Sequence, residues 1–482
     1  MTNRKFIIVT LMLGLLALSA VSAENNATDE TVSLSNESDI EVVQSDETDD
    51  TLHSGYWVLS KDRDNLNLDD MSEKGVTDIF LNFKSYEIYG KDNLESWIAN
   101  ASDRGIRTHI WTQIFWTSKT GWVLPVVDSR PNTDFFNEKI AELNEYASLK
   151  GLSGIHMDYL RYSGSAEYTD EGKQAITDFV MNATSSIRKV NPNLTVSAAL
   201  MPDLKRLQNT YGVDYPVISR YFDVIVPMLY SGNFKKDRDW ISQTTRQFIS
   251  NSNGARIWTG LQSYVNDNDL SHLTMNQINA DIRAAIDSKA SGVVIFRFGV
   301  SEDIDFNYAF NLVININAKS ASYIANYGGK YQTVLKDAKG NPVPFEKVTF
   351  LLNGKKLASV LTDSSGKAKI KLTSKFLKKA KIGKNKLTVK LSNGKSKTVR
   401  ITLKMETPKL RVSKIKGKLK ITLKNSKNRP IKKSKITVKV KNKKYYLRTN
   451  AKGKVTFKIK AKGRITVIYR GTKYIKGVSR KA

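Results

Sequence analysis

Apolar and polar residues alternate with two different periods along this chain, and the period changes near residue 320. Before that point, short apolar runs of strand-like composition are separated by longer stretches in which apolar residues recur every three or four positions, as in amphipathic helices. Gly or Pro follows several of these helical stretches, as at helix C-termini. The strand-like runs are Tyr56–Leu59, Asp78–Phe83, Arg107–Phe115, Gly154–Tyr162, Thr195–Met201, Asp223–Tyr230, Arg256–Tyr264 and Gly292–Phe298.

Eight strand–helix units in roughly 250 residues are typical of a (β/α)8 barrel, an α/β fold. The alternative is an open doubly wound sheet, which usually carries a Gly-rich phosphate loop after its first strand. Here the first strand continues into SKDRDN instead, so we predict a barrel over residues 54–318. The predicted helices include Leu94–Asp103, Phe135–Leu149, Lys173–Lys189, Trp240–Ser250 and Gln277–Ser288.

Beyond residue 330 the helical period disappears, and apolar residues alternate with polar residues that are mostly lysine. Two copies of one unit, 334–354 and 421–442, align Pro342 with Pro430. Turn pairs such as Lys-Gly and Asn-Gly separate the alternating runs. The pattern predicts two all-β, immunoglobulin-like sandwich repeats. We place them at residues 328–405 and 409–482.

Residues 1–23 have the organisation of a secretory signal peptide. Arg4 and Lys5 form a basic start, Phe6–Leu18 is apolar, and small residues follow. The apolar run is shorter than the roughly 20 residues of a membrane span, so cleavage is favoured over a retained transmembrane anchor. Residues 24–53 carry ten acidic and no basic residues, which predicts a disordered linker. We therefore expect an exported protein, secreted or held at the cell surface.

Charged residues are distributed unevenly along the chain, which the formal net charge of +31 does not show. Residues 1–320 carry 29 Lys and Arg against 42 Asp and Glu, whereas residues 321–482 carry 48 against 4. Export argues against nucleic acid as the partner, and the basic half has few of the interleaved aromatics that stack on bases. We predict that this half binds an anionic wall polymer. A lysine-coated sandwich that is merely soluble is the alternative.

Candidate chemistry is concentrated at the carboxyl ends of the predicted strands, where barrel enzymes build their active sites. The stretch 154–162, GIHMDYLRY, places His156 and Asp158 on one face of the fourth strand. Asp203 follows the fifth strand, and adjacent parallel strands are about 5 Å apart. Glycoside cleavage needs two carboxylates, so Asp158 and Asp203 are predicted as the catalytic pair of a retaining mechanism.

Sugar binding needs aromatic faces together with polar side chains, and this end of the barrel supplies both. A basic neighbour, Arg161 or Arg297, is expected to keep Asp158 ionised. The candidate substrate-binding residues are His156, Arg161, Trp111, Gln113, Tyr230, Gln262, Arg297 and Glu87.

Several of these residues have alternative interpretations. Asp158 could be a structural hydrogen-bonding residue, and Asp203 could cap the following helix. His156 is interpreted as a hydrogen-bond partner of Asp158 rather than as a base. Glu87, Asp267 and Glu302 are further carboxylates for the acid role. The chain has no cysteine, and its four histidines are scattered, so we predict no disulfide, no metal site and no cofactor.

GIHMDYLRY resembles the DGIHLDYIRY signature of glycosyl hydrolase-like barrels of the family-ten-like group. It is also similar to the strand-four motif G-F-R-x-D of alpha-amylase-type glycosidases, which implies that Asp158 is the nucleophile. Two departures from that motif are His156 in place of the Arg, and Asp203 in place of a Glu after strand five. The chitinase motif DxxDxDxE is a poorer match, because Leu160 occupies the position of its Glu.

The stretches YWVLSKDRDNLNL, TDIFLNF, IVPMLYSGNF and GVVIFRFG resemble the glycosidase-like domain of large surface proteins of methanogenic archaea. The lysine-rich repeats resemble the Ig-like repeats of archaeal adhesin-like proteins. Together these resemblances cover nearly all of residues 55–482. They imply a cell-wall polysaccharide as the substrate, pseudomurein glycan among the candidates. The predicted function is glycoside hydrolysis, and the alternative is a non-catalytic, carbohydrate-binding adhesin.

Overall fold

The chain divides into two units, with the boundary between Phe310 and Asn311. The computed structural model describes residues 51–164, 169–377, 380–459 and 463–482. The predicted signal peptide and most of the predicted linker lie outside the described residues. Within them, no helix is both long enough and apolar enough to cross a membrane.

The first unit contains a closed barrel of eight parallel strands, which confirms the predicted (β/α)8 fold. Each strand pairs with its neighbours in chain order, and the last strand pairs with the first, placing Gly292 opposite His53. All eight predicted runs overlap these strands. They are β1 (His53–Val58), β2 (Asp78–Asn82), β3 (Arg107–Gln113), β4 (Gly154–Asp158), β5 (Thr195–Leu200), β6 (Val224–Leu229), β7 (Arg256–Gln262) and β8 (Gly292–Phe296).

Helices surround the barrel, and several begin at side-chain caps that the sequence supplies. Thr169 accepts a hydrogen bond from the Gly172 amide, and Thr274 forms a capping box with Gln277. The helices of this unit are α1 (Leu68–Glu73), α2 (Lys84–Tyr89), α3 (Lys91–Ser102), α4 (Thr133–Ala147), α5 (Asp170–Val190), α6 (Leu204–Thr210), α7 (Tyr215–Ile218), α8 (Arg238–Asn251), α9 (Met275–Ile286) and α10 (Phe306–Phe310).

Large rings fill the barrel interior, and glycines on other strands make room for them. A Cβ at Gly260 would lie 2.9 Å from the Trp57 ring, and one at Gly154 would lie 2.3 Å from His109 Nδ1. These separations are shorter than normal van der Waals contact. Because interiors are close-packed, an added methyl group here would displace a ring or a strand.

An ionic cluster around Asp78 occupies the interior at the amino-terminal end of β2. The fully buried Asp78 carboxylate lies 2.7 Å from Arg107 NH2, 2.7 Å from His109 Nε2 and 3.2 Å from His53 Nδ1. Burial by itself would raise the pKa of Asp78. The hydrogen bonds with both histidines and the charge of Arg107 outweigh it, so the pKa lies below its ordinary range.

The second unit contains two sandwiches, each with its own apolar core. The first pairs the sheets β9-β11-β14 and β10-β16-β15-β12-β13, and the second pairs β17-β18-β21 and β20-β19-β22-β23. The strands are β9 (Asn315–Asn317), β10 (Ala321–Ile324), β11 (Gly329–Lys336), β12 (Lys347–Leu352), β13 (Lys355–Leu361), β14 (Lys367–Leu372), β15 (Gly383–Leu391), β16 (Ser396–Lys404), β17 (Lys409–Ile415), β18 (Lys418–Lys424), β19 (Lys435–Val440), β20 (Lys443–Arg448), β21 (Lys454–Lys458), β22 (Ile465–Tyr469) and β23 (Val478–Lys481).

These sheets confirm the predicted sandwiches, while their immunoglobulin-like identity stays a prediction. Burial alternates along the strands as the period of two requires, for example along β12, whose side chains are half-buried and buried in turn. The barrel was predicted to extend to residue 318, but β9 pairs with β11 of the first sandwich. This three-residue strand is too short to show a period that would assign it to either unit.

The Asp78 cluster yields a stability prediction. Asp78→Asn removes the only negative charge that compensates Arg107 within the cluster, and breaking a buried ion pair costs about 3–5 kcal/mol. The contribution of Asp78 is fully present above its unfolded pKa of about 3.9 and is lost as the pH falls through its lower folded pKa. Denaturant unfolding followed by tryptophan fluorescence reports on this unit alone, because all seven tryptophans lie within residues 57–258.

The matched control is Asp69→Asn, which breaks an Asp–Arg bridge of the same 2.7 Å length, to Arg104, on the surface. Exposed ion pairs contribute little to stability, so this variant should unfold like the wild type. Equal losses of stability in the two variants would contradict the role assigned to the buried cluster.

Candidate active site

Asp158 is the last residue of β4, at the carboxyl end of the barrel. The register of the parallel strands pairs Gln113 of β3 with Asp158, and pairs Trp111 with His156 one layer deeper. Residues paired in this way share a face of the sheet. The sequence-predicted Trp111, Gln113 and Asp158 are thereby brought together at the barrel mouth.

The carboxyl group of Asp158 is held by two neutral donors. Its Oδ1 accepts a hydrogen bond from the Tyr159 amide at 2.7 Å, and its Oδ2 accepts one from Trp111 Nε1 at 3.1 Å. Tyr159 has φ = 55°, a left-handed conformation that is uncommon for a bulky residue. Strained backbone of this kind is concentrated at functional sites.

Burial raises the pKa of Asp158, even though both hydrogen bonds and the charge of Arg161 act to lower it. The charge of Arg161 acts in the expected direction, but the net shift of the pKa of Asp158 is upward, so the expectation that a basic neighbour keeps this group ionised stays a prediction. Arg161 is too weak a counter-charge to offset desolvation. Arg297 is engaged elsewhere, since its NH1 lies 3.5 Å from Asp62 Oδ2. A carboxyl group in this environment holds its proton to higher pH than an exposed aspartate does.

Aromatic rings form one wall of the mouth next to Asp158. The Tyr159 ring lies 5.7 Å from Trp116 and 5.5 Å from Trp122, measured between centroids. Both tryptophans belong to a short hairpin in the connection between β3 and α4, where Trp116 pairs with Trp122. Tyr230, predicted from the sequence, stacks on Phe296 at 5.2 Å. Flat aromatic surfaces of this kind suit the CH faces of sugars.

A polar network forms the opposite wall, in the loops after β6 and β7. Gln262 Oε1 accepts from the Asn233 amide at 3.2 Å, and Gln262 Nε2 donates to Asn233 Oδ1 at 3.0 Å. The same Asn233 oxygen accepts from the Asp267 amide at 2.9 Å. Both ends of the predicted substrate-binding Gln262 are thus engaged within the protein, where they position the loop that carries Asp267.

Asp267 is exposed, and it accepts a hydrogen bond from the Tyr264 hydroxyl at 2.8 Å. Its negative charge and that of Asp158 both act on the same two phenols. After burial, which is the larger cause, these charges raise the pKa of Tyr230 and of Tyr159. Asp267 and Asp158 therefore both lie near enough to these two tyrosines for their charges to act on them.

His156 is not a partner of Asp158, which corrects the sequence-based interpretation. The ring is fully buried; its Nδ1 bonds Ser197 Oγ at 2.8 Å, and its Nε2 has no hydrogen-bond partner within the described part of the chain. It packs against Phe80 at 4.6 Å, inside the barrel. Burial lowers the pKa of His156 well below its ordinary value. Its predicted contact with substrate is therefore wrong, because the side chain lies below the mouth.

Asp203 lies exposed at the start of α6, where its Oδ1 accepts a hydrogen bond from the Arg206 amide at 3.1 Å. This is the helix-capping interpretation that the sequence left open, and the acid role of Asp203 stays a prediction. Glu87 is exposed on α2, where its charge contributes to the raised pKa of Tyr146 on α4. Glu87 thus lies in the outer layer of helices, where its charge affects Tyr146.

Tyr159, Trp122 and Asn233 contribute to the mouth but were not identified from the sequence. Tyr159 lies within GIHMDYLRY, and its amide contact with Asp158 depends on a left-handed backbone that the sequence pattern does not reveal. Trp122 and Asn233 belong to connections between strands and helices, whose course is set by tertiary contacts. The one sign of an aromatic surface that the sequence offered was the close spacing of the tryptophans at 111, 116 and 122.

No family model matches the chain, and no curated protein matches it either. Among solved structures, the chain is similar to an endo-β-1,4-mannanase from Thermotoga petrophila, with a TM-score of 0.42 and 12% identity over 73% of this chain and 97% of that chain. It is also similar to the spore cortex-lytic enzyme SleL of Bacillus megaterium, with a TM-score of 0.39 and 14% identity over 54% of this chain and 73% of that chain. A third similar structure is a β-glucuronidase from Parabacteroides merdae, with a TM-score of 0.36 and 10% identity over 89% of this chain and 61% of that chain. Function must be inferred from the side chains at the mouth.

The raised pKa of Asp158 predicts how the stability of the first unit depends on pH. Because the folded pKa exceeds the unfolded value of about 3.9, the favourable contribution is fully present below that value. It is lost as the pH rises through the folded pKa. Denaturant unfolding of the wild type and of Asp158→Asn, followed by tryptophan fluorescence, should show a free-energy difference that shifts against the wild type with rising pH. A difference independent of pH would contradict the raised pKa.

Proposed function

We propose that this protein is an exported glycoside hydrolase that acts on a cell-envelope polysaccharide and is held at the wall by its lysine-rich sandwiches. The observation that carries the proposal is the buried Asp158 carboxyl group, which lies at the barrel mouth beside aromatic rings and whose pKa is raised by burial. A carboxyl group with a raised pKa beside a sugar-binding surface suits the general acid of glycosidic cleavage.

In this proposal Asp158 is the general acid, instead of the nucleophile that the family resemblance implies. Its proton passes to the glycosidic oxygen as the bond from that oxygen to the anomeric carbon breaks. Trp111 Nε1 and the Tyr159 amide then stabilise the carboxylate that remains. The aromatic wall of Trp116, Trp122 and Tyr159 supports the sugar rings.

Asp267 is the proposed second carboxylate. Tyr264 binds its Oδ1, and its Oδ2 accepts no hydrogen bond from the described residues, which leaves this oxygen to attack the anomeric carbon. Water then releases the sugar from Asp267 while Asp158 takes up the proton of that water. Such a two-step reaction retains the anomeric configuration, as predicted for the original Asp158–Asp203 pair. Proton NMR of the first product tests this, since inverted product would remove Asp267 from the role of nucleophile.

The central prediction is that Asp158→Asn lowers glycan release from purified envelope by about 10²- to 10⁴-fold, because it removes the general acid. Asp267→Asn should also abolish release, by removing the nucleophile. Asp203→Asn is the matched control, since Asn caps a helix as well as Asp does and the stability of α6 is preserved. Reducing sugar released per hour is the measurement.

Full activity in Asp158→Asn, or loss of activity in Asp203→Asn alone, would refute this assignment. The second candidate function, a carbohydrate-binding adhesin, is favoured by the capping role of Asp203. It requires that the wild type and Asp158→Asn both bind the glycan and that neither releases sugar. Binding and release are therefore measured on the same samples.

The wall-binding part of the proposal is supported by rows of paired cations on the sandwich sheets. Basic residues lie directly opposite one another across neighbouring strands, and like charges in this position destabilise a sheet. A polyanion lying along the sheet would remove the repulsion. The cross-strand pairs are Lys330–Lys371, Lys386–Arg400, Lys409–Lys424, Lys418–Lys458, Lys435–Arg448 and Lys439–Lys444.

We expect the full-length mature protein to leave purified envelope as salt rises from about 0.1 to 1 M, where the Debye length falls from about 10 to 3 Å. The double substitution Lys439→Gln with Lys444→Gln should weaken retention and leave folding intact. Its matched control replaces two exposed lysines in turns, Lys395 and Lys452, by Gln, with the same loss of charge. Retention that does not change with salt would refute electrostatic anchoring, and equal effects of the two double variants would refute the role of cross-strand pairs.

A further inference from the structure

Arg161 is a buried cation in the wall of the mouth, three residues beyond Asp158. Its side chain is enclosed by three aromatic rings, and the residue is only 8% exposed. The guanidinium carbon lies 4.6 Å from the centre of the Trp122 ring, 5.1 Å from Tyr211 and 5.7 Å from Tyr159. Trp122 and Tyr159 also form the aromatic wall, so Arg161 lies next to the surface proposed for the sugar.

This guanidinium is not neutralised by a salt bridge with any carboxylate among the described residues. Its NH1 donates to the Tyr162 carbonyl at 3.0 Å and, more weakly, to the Ser163 carbonyl at 3.4 Å. Burial lowers the pKa of Arg161, and the charge of Asp158 opposes that effect. Asp158 acts on Arg161 through its charge, but no salt bridge joins these two side chains.

Two other arginines of the first unit are each paired with an aspartate. Arg107 lies 2.7 Å from Asp78, and Arg238 Nε donates to Asp281 at 2.5 Å. An unpaired buried charge is strongly destabilising and persists where it has a use. A guanidinium carries five donors in a planar fork that fits the two oxygens of a carboxylate. Arg161 uses one nitrogen for carbonyl oxygens and has donors left for an anion.

We infer that the mouth accepts a polysaccharide of uronic acids, and that Arg161 binds the carboxylate of a sugar unit beside the bond on which Asp158 acts. This inference rests on the proposed function and specifies its substrate class. The cross-strand lysine pairs of the second unit support it independently, since they favour a polymer with repeated negative charge. One acidic polysaccharide satisfies both features.

The test compares uronic-acid oligosaccharides with their carboxyl-reduced counterparts, in which each carboxylate has become a primary alcohol. Oligomers of galacturonate, glucuronate and mannuronate serve as the probes. Binding to the full-length mature protein is measured by calorimetry in about 1 M salt, because the exposed lysines are then screened while a buried contact is screened much less. Asp158→Asn serves as the background, so that the glycan stays intact.

The wild-type Arg161 background should bind at least one acidic oligomer more tightly than its reduced counterpart. Arg161→Met should weaken binding of the acidic oligomer by about 10- to 100-fold, as expected for loss of a charged hydrogen-bonding partner. Binding of the reduced oligomer should be unchanged, which also shows that the variant is folded. Arg161→Lys should restore only part of the affinity, since an ammonium lacks the planar fork. The matched control is Arg206→Met, because Arg206 stacks on the same Tyr211 from the exposed helix α6.

The other possible outcomes overturn the inference, the role of Arg161 or the proposed function. Equal binding of acidic and reduced oligomers, or an equal loss of both in Arg161→Met, would overturn the inference and leave the proposed glycosidase in place. Preference for an acidic oligomer that survives in Arg161→Met would overturn the role of Arg161. Failure to bind any oligomer, together with no sugar release from envelope by the wild type, would overturn the proposed function and the inference with it.

Discussion

A closed barrel of eight strands has to fill its own interior, and this requirement determines where chemistry can take place in the first unit. Trp57 and His109 occupy the interior because Gly260 and Gly154 leave space for their rings. The rings close the barrel below the level of Asp158. Polar side chains that must meet a substrate are therefore confined to the carboxyl ends of the strands. His156, one layer below, is excluded from the mouth for the same reason.

Two buried aspartates in this interior show how partners determine the state of a carboxyl group. Asp78 and Asp158 both lose hydration on folding. Asp78 is surrounded by Arg107 and two histidines, so its pKa falls. Asp158 receives two neutral N–H donors and the charge of one more distant Arg161, so its pKa rises. The first arrangement stabilises a negative charge inside the fold, and the second makes the carboxyl group at the mouth hold its proton to higher pH. The same residue type is thus structural at one end of the barrel and a candidate acid at the other.

The fold could be predicted from the sequence because period and element count are local properties. The eight strand runs, the change of period near residue 320 and the position of Asp158 at a strand end all follow from such local patterns. The partners of Asp158 could not be predicted, because a period assigns a side chain to a face and not to a neighbour. His156 shares its face with Asp158 but bonds Ser197 of the next strand. Asp267 lies in a hairpin whose position depends on Asn233, a contact between two loops that no local pattern encodes.

The few acidic residues described in the second unit do not compensate its positive charge. Asp337, Glu346 and Glu406 are all buried, and Asp363 lies 2.7 Å from Lys369 at a turn. Glu406 accepts hydrogen bonds from Ser426 and Asn326. Each of the four acids described in this unit is thus committed to its interior or to a turn, and none is available to neutralise the paired cations across the strands. Repulsion along those rows can then be relieved only by ions or by an external polyanion. Arg161 forms no salt bridge among the described residues, and the cross-strand cation pairs place like charges opposite one another. An acidic polysaccharide would supply a counter-charge to both.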